Sequence, residues 1–260
     1  MIDFTNKTTL ITGGSSGMGL ETARCILRAG GNAVITGRTL STLQEARSSL
    51  VETDEGAVDR MMISQSDTSD LDSVVKMLED TKERFGGLDN LFANAGIGIF
   101  KPLADFTVDD FDKLVSINFK GLFFTIQKAV PMMNDGGAIL MTSSWTAHRG
   151  IAGAHLYSAT KAALLSLART LALDLAPRRI RVNSISPGYI DTPIVQKIEM
   201  SKKAFDAAAA EVPFDRWGES DEIGAAAAFL LSDAASYVNG QDLIVDGGLV
   251  GTHNYKGAEV

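Results

Sequence analysis

Thr8-Thr9-Leu10-Ile11-Thr12-Gly13-Gly14-Ser15-Ser16-Gly17-Met18-Gly19-Leu20-Glu21-Thr22-Ala23-Arg24 sets an apolar run, a glycine-rich turn and a helix-compatible stretch in immediate succession. Glycine-rich turns are common, so the turn alone says little. A strand that feeds the turn and a helix that leaves it are the context in which such glycines cradle a dinucleotide. Gly13 permits the tight turn, Gly17 lets backbone approach a pyrophosphate, and Gly19 lets the helix pack on the sheet. Phosphate then meets the free N–H groups and positive end of the helix, with Ser15, Ser16 and Met18 in the same loop.

Outward from this unit, short apolar strands alternate with helical stretches, the pattern of a parallel sheet covered on both faces. Strands are expected at Thr8–Thr12, Ala33–Thr36, Arg60–Ser64, Leu88–Ala93, Ala138–Thr142, Arg181–Ser186 and Leu243–Val245. Helices are expected at about Gly17–Ala29, Ser41–Val51, Leu71–Phe85, Val108–Met133, Ala154–Leu175 and Asp221–Leu231. The expected fold class is α/β, a doubly wound seven-stranded parallel sheet of Rossmann type with helices on both faces, and ligands at the carboxyl ends of the strands. No Pro/Gly/Ser linker interrupts residues 1–260, which read as a single domain.

A chain that is 45% hydrophobic can bury a sizeable core, and a net charge of −8 argues against nucleic acid or an anionic membrane as partner. The start is polar, with no apolar segment for secretion, and no run reaches the roughly 18 apolar residues of a membrane span. One cysteine, Cys25, cannot form an internal disulfide and reads as a small buried hydrophobe, so a cytoplasmic location is expected. His148, His155 and His253 lack metal-ligand spacing, and no metal is expected.

The end of the second strand bears on which dinucleotide binds. An acidic residue there suits the ribose 2′-hydroxyl of NAD, and an arginine accommodates the 2′-phosphate of NADP. Ala33-Val34-Ile35-Thr36 runs into Gly37-Arg38-Thr39, so glycine stands in the acid's place and a planar guanidinium follows. NADP is the expected cofactor, with NAD as the alternative.

Tyr157 and Lys161 lie four residues apart in a predicted helix, where they share a face. An ammonium beneath a phenol favours phenolate and lowers its pKa, which suits Tyr157 to act as acid for a carbonyl or base for an alcohol. Of four tyrosines only Tyr157 has a lysine at this spacing.

With these motifs in place, the chain resembles the short-chain dehydrogenase/reductase family in its compact, single-domain branch. The resemblance runs from Thr12-Gly13 through Asn94-Ala95-Gly96, Asn118, Ser144, Tyr157, Lys161 and Pro187-Gly188 to Val245-Asp246-Gly247-Gly248, with Ala93 where the family often has asparagine. It implies that Tyr157 is the general acid/base and that Lys161 lowers its pKa and binds the nicotinamide ribose. Ser144, at a strand end, would bind the substrate oxygen; strand alternation lets only one of Ser143 and Ser144 face the cleft. Asn118 would hold a water in the proton relay, or be a buried amide satisfied by backbone. Asp67 would accept from the adenine amino group, or be a turn residue. Backbone at Ile190 and the Thr192 hydroxyl, with Pro187 and Gly188, would hold the carboxamide.

A substrate lid is expected at about 189–215, because Pro193 to Pro213, with Ile194, Val195, Ile198, Met200 and Phe205, follows the carboxyl end of a strand; a helical excursion covering the sheet is the other reading. Trp145, His148, Ile151 and His155 lie between Ser144 and Tyr157, so some should line the pocket, with local packing as the competing reading of Trp145 and Ile151. Phe111–Met133 and Ala162–Ala176 are apolar around most of their circumference, which calls for cover beyond the sheet. The resemblance supplies it as a homotetramer. Leu171 reads as an outward helix position, and the tail Gly251–Val260 either frays or docks on a neighbour, docking being what the resemblance favours. The function expected is reduction of a partly apolar ketone, or oxidation of its alcohol, by NADPH-type hydride chemistry. The alternatives are a 3-oxoacyl-carrier-protein reductase and a non-catalytic dinucleotide-sensing regulator.

Overall fold

The structure is a computed structural model that describes residues 2–196 and 200–252; Ile198 and His253, with the rest of the tail to Val260, lie outside them. Its strands are β1 (Thr8–Thr12), β2 (Asn32–Gly37), β3 (Met61–Gln65), β4 (Leu88–Ala93), β5 (Met133–Thr142), β6 (Arg181–Pro187) and β7 (Asp242–Val245). They form one seven-stranded sheet in the order β3-β2-β1-β4-β5-β6-β7, with every pair parallel. The order reverses beside β1, where the carboxyl ends of β1 and β4 part and leave a crevice.

Helices α1 (Gly17–Arg28), α2 (Leu40–Thr53) and α9 (Ser220–Leu231) cover one face of the sheet. Helices α3 (Leu71–Phe85), α5 (Leu122–Ala129) and α6 (His155–Asp174) cover the other. Strand alternation assigns the core. Ile11, Ile35, Phe92 and Leu140 turn to the first layer, and their neighbours Leu10, Val34, Leu91 and Ile139 to the second. This two-sided burial is why the strands read as near-continuous apolar runs. At Gly224 α9 lies so close to α1 that a Cβ would sit 2.8 Å from the Glu21 carbonyl carbon.

The helix expected over Val108–Met133 is divided. It comprises α4 (Val108–Val115), a π-turn over Ser116–Gly121, then α5, then a 3-10 turn at Val130–Met132 that contains Pro131. Gly121 explains the interruption: a Cβ there would stand 2.3 Å from the Thr68 carbonyl oxygen, so the helix lies directly on the loop before α3. Met133 opens β5 instead of closing the helix, and β5 begins before the expected Ala138, with a register irregularity opposite Leu88 and Asn90.

The stretch after β6 folds into α7 (Pro193–Gln196) and α8 (Lys202–Glu211). Ser201 caps α8 by accepting from the Ala204 N–H at 3.2 Å, and the alanine run Ala207–Ala210 supplies helix propensity. Among the described residues no helix is long and apolar enough to cross a membrane.

Candidate active site

Two cavities meet at the carboxyl ends of the strands. One, of about 440 Å³, runs along the glycine loop, the end of β2 and Asp67. The other, of about 340 Å³, lies above β5 and β6 and holds Ser144, Tyr157 and Lys161 in its wall. Met18, Asn94, Gly96, Ile97 and Thr192 belong to both, so they are two ends of one cleft.

At the first end, Gly13 and Gly17 take positive φ angles of 65° and 55°, as the turn requires. A Cβ on Gly17 would meet nothing nearer than 3.6 Å, so that position faces the cleft, whereas one on Gly19 would strike the Gly13 carbonyl oxygen at 2.5 Å. Ser16 is the N-cap of α1 but makes no side-chain cap, which leaves the N–H groups of the first turn for a ligand. Arg38 is exposed in the cleft wall with Ser15, Thr39 and Thr42, and its guanidinium has no hydrogen bond or ion pair among the described residues. Glu45 is an acid in the same wall. Burial works to raise the Asp67 pKa, but hydrogen bonds from the Ser69 N–H and hydroxyl, and the Arg38 charge, bring it below the ordinary value. One Asp67 oxygen, Oδ1, accepts both Ser69 bonds, at 2.9 and 2.7 Å, so the turn role is realised on that atom. A dinucleotide fits this cradle.

Asn94 lines the cleft, but its side chain is spent on protein. Its amide donates to the carbonyls of Thr12 and Gly13, both at 3.2 Å, and accepts from the Thr142 hydroxyl at 3.0 Å. It thereby ties the ends of β1, β4 and β5 together. Thr12 Oγ1 accepts from the N–H groups of Asn94 and Ala95, both at 3.0 Å.

At the other end, Lys161 is 4% exposed and donates from Nζ to the Thr142 carbonyl at 2.7 Å. The same ammonium lies 5.7 Å from the centroid of the Tyr157 ring, as the four-residue spacing requires. The expected lowering of the phenol pKa is not what the structure gives. Burial raises the Tyr157 pKa above its ordinary value, a hydrogen bond with Ser144 opposes that rise, and burial lowers Lys161 to about 8. Desolvation sets the direction at Tyr157, and the Lys161 ammonium is turned to the Thr142 carbonyl.

Ser144 follows the end of β5, and its Oγ accepts from the Thr146 N–H at 3.2 Å and the Thr146 hydroxyl at 3.0 Å. Both Ser143 and Ser144 contribute to the cavity wall, contrary to strict alternation, because β5 has already ended at Thr142. The two are still distinguished: the Ser143 hydroxyl donates to the Lys161 carbonyl at 3.0 Å and is used up. Asn118 is fully buried in the π-turn, accepts from the Ile97 N–H and donates to the Ile97 carbonyl, both at 2.9 Å, and lines neither cavity. Its Oδ1 and the Lys161 Nζ flank Gly96, at 3.3 and 3.4 Å from where a Cβ would be.

Pro187, Gly188, Ile190 and Thr192 line the same cavity, with Trp145 and Ile151. His148 and His155 turn elsewhere. His148 Nε2 lies 2.8 Å from Asp242 Oδ2, and His155 meets the Phe106 ring. The sequence reading missed Phe100, whose ring is 5.2 Å from that of Tyr157, and Thr146 and Trp217; Tyr189, also in the wall, opens the segment expected as the lid. No spacing rule points to them, since they come together only through the loops. Among the described residues no cluster of His, Cys, Asp and Glu is disposed to hold a metal ion.

A family profile described as enoyl-(acyl carrier protein) reductase matches residues 13–250. Levodione reductase from Leifsonia aquatica is 37% identical over 254 residues, 94% of each chain. The chain belongs to the short-chain dehydrogenase/reductase family. A 3-oxoacyl-(acyl-carrier-protein) reductase from Thermotoga maritima is 35% identical over 246 residues, covering 94% of this chain and 98% of the relative. Among solved structures, levodione reductase superposes with a TM-score of 0.92 at 36% identity, over 96% of this chain and 100% of that one. A short-chain dehydrogenase from Burkholderia cenocepacia in complex with NADP gives 0.86 at 33% identity, over 95% and 98%. As a short-chain dehydrogenase/reductase, the protein is an oxidoreductase acting on carbonyl or CH–OH groups.

Proposed function

We propose that the protein is an NADP-preferring oxidoreductase that interconverts a ketone and a secondary alcohol. The observation that carries this reading is the convergence of Ser144, Tyr157 and Lys161 at one end of a cleft whose other end is the glycine loop. A bound reduced nicotinamide would supply the hydride, two electrons and one proton, to the carbonyl carbon. Tyr157 gives its hydroxyl proton to the oxygen, which completes the alcohol. Its raised pKa keeps the phenol protonated at neutral pH and ready for that step. Ser144 donates to the same oxygen and stabilises its developing charge. Lys161 holds the nicotinamide ribose and, with a pKa of about 8, can return a proton to Tyr157 near working pH. Asn118, with one lone pair of its amide oxygen unspent beside Lys161, completes the relay through a water.

Gly13, Ser15, Ser16, Gly17 and Met18 would hold the pyrophosphate, with Gly19 shaping the loop, and Asp67 Oδ2 would meet the adenine. Asn94, Ala95 and Gly96 would lie along the middle of the dinucleotide, with Pro187, Gly188, Ile190 and Thr192 at the carboxamide. Arg38, its guanidinium without a hydrogen bond or ion pair among the described residues and sharing its wall with the hydroxyls of Ser15, Thr39 and Thr42, supports the 2′-phosphate, and the NADP complex of a relative supports the same choice. Segment 189–215 serves as the substrate lid. The protein works as a homotetramer, a reading supported by Val108, Phe111 and Leu173, which are 74%, 52% and 76% exposed on α4 and α6. Leu171, expected to point outward, packs partly against the core, and Leu173 takes that role.

Turnover of NADPH and NADH against a panel of ketones and alcohols tests the proposal. Consumption of NADPH with a ketone is expected; no turnover with either cofactor across the panel overturns it. A 3-oxoacyl-carrier-protein substrate is the second reading, favoured by the name of the Thermotoga maritima relative.

A further inference from the structure

We propose that the substrate is a compact, uncharged ring ketone, and that Trp145, Tyr189 and Trp217 set this preference. The inference rests on the ketone–alcohol reading above and concerns the same cavity.

Part of the cavity wall is a run of aromatic rings. Tyr189 lies between the two tryptophans, with centroid distances of 4.9 Å to Trp145 and 5.1 Å to Trp217. Trp217 stacks on Phe205 of α8 at 4.4 Å, nearly parallel, and its Nε1 donates to the Phe205 carbonyl at 3.1 Å. Trp145 is 5% and Trp217 is 6% exposed, so both rings are held by packing and keep a fixed surface. These rings come from the turn after β5, the loop after β6 and the segment before α9, so three separate connections build one aromatic wall of mutually tilted rings. Phe100 closes the side next to Tyr157.

The polar inventory of the cavity is short and mostly spent. The Thr142 hydroxyl donates to Asn94, the Ser143 hydroxyl to the Lys161 carbonyl, and the Thr146 hydroxyl to Ser144. Lys161 is the one charged side chain in the described wall; it is 4% exposed, and one of its three N–H donors goes to the Thr142 carbonyl. Ser144 and Tyr157 stand side by side and match a single carbonyl oxygen; the other side-chain hydroxyls of the wall are those of Tyr189 and, at the nicotinamide end, Thr192. A carboxylate would find no counter-ion but the buried Lys161, a sugar would bring more hydroxyls than the wall can pair, and a pantetheine arm would lay its amides against aromatic rings. A flat apolar ring fills the wall without any of these penalties. The size agrees. The cavity of about 340 Å³ also includes Met18, Gly188 and Thr192 at the nicotinamide end, which leaves room for one ring or two fused rings.

Both tryptophans of the chain line this cavity, so its occupancy can be read without turnover. The wild-type protein with NADPH should turn over 4-methylcyclohexanone or 2-tetralone with a kcat/KM about a hundredfold above acetoacetate or acetoacetyl-coenzyme A. With NADP it should oxidise D-glucose at least as poorly. 2-Tetralone should give a saturable change in tryptophan fluorescence, and acetoacetate none. Trp217→Ala should narrow the 2-tetralone advantage over 2-butanone about tenfold or more. Because that variant can loosen α8, Tyr189→Ala is measured beside it, with NADPH binding as the check on folding. Ring ketones no better than acetoacetate, or activity confined to the thioester or the sugar, overturn the inference and leave the oxidoreductase reading standing. An unchanged ketone ratio in both variants overturns the assignment of the wall. No turnover of any compound overturns both.

Discussion

Thr146 donates twice to the same atom of Ser144, from its N–H at 3.2 Å and its hydroxyl at 3.0 Å. A serine oxygen has two lone pairs, so the Ser144 hydroxyl has no acceptor role left and its hydrogen points to the Tyr157 side. That is the polarity needed to stabilise negative charge on a substrate oxygen. Thr146→Val keeps the shape and the N–H donor and removes the other donor. It should lower kcat about three- to tenfold, the effect of one hydrogen bond, with NADPH affinity unaltered. A kcat equal to wild type would show that Ser144 does not depend on this partner.

The depressed pKa of Lys161 makes stability depend on pH in a definite direction. Between pH 8, its folded value, and about 10.5, its unfolded value, the unfolded chain binds more protons, so the Lys161 contribution to stability rises with pH. Tyr157 acts oppositely only above its ordinary value near 10, since its pKa is raised. The stability difference between wild type and Lys161→Met should therefore move towards wild type from pH 7 to pH 9.5, by about 1–3 kcal/mol. Denaturant titrations at the two pH values measure it, and a constant difference would mean that Lys161 titrates normally.

Arg38→Asp repels a 2′-phosphate and offers an acceptor to a ribose hydroxyl. Loss of a charge-assisted hydrogen bond of roughly 1.5–3 kcal/mol corresponds to about a tenfold to hundredfold swing from NADPH towards NADH in kcat/KM. A wild-type protein that already prefers NADH would remove the basis for the assignment.

Gly121→Ala places a methyl group 2.3 Å from the Thr68 carbonyl oxygen, a backbone atom that cannot rotate away. The π-turn carrying Asn118 must shift, and a loss of about 2 kcal/mol or more is expected. By contrast, a Cβ on Gly98 meets only the tip of the Phe100 ring, at 2.6 Å, so Gly98→Ala should move Phe100 off Tyr157 at a smaller stability cost. Thermal unfolding of the pair should rank them in that order.

In solution the protein should be larger than its 27.6 kDa chain at micromolar concentration by light scattering. Leu173→Arg, at an exposed apolar position on α6, should split the assembly. A wild-type mass of one chain contradicts the proposed tetramer.

Much of this was legible because strand and helix periods and the glycine turn are local signals. β1, β4 and α3 fall where their residues predict, and Tyr157 and Lys161 meet because four residues make about one helical turn. The π-turn at Ser116–Gly121 was not legible, since its cause is the distant Thr68 carbonyl. Nor was the aromatic wall, because Trp145, Tyr189 and Trp217 are joined only by loops. The use of the Asn94 side chain to hold three strand ends together was not legible either, since that role needs partners far apart in sequence. The direction of the Tyr157 pKa was hidden for a similar reason: the four-residue spacing reveals the ammonium but not the burial that raises the phenol.

The central claim is that Tyr157 delivers the proton while the dinucleotide is held by other groups. Tyr157→Phe removes one oxygen and little shape. Its kcat for ketone reduction should fall by about a hundredfold to ten-thousandfold, the usual worth of a general acid, with the NADPH dissociation constant within about threefold of wild type. A Tyr157→Phe protein that binds NADPH normally and reduces ketones at near wild-type kcat would contradict the account.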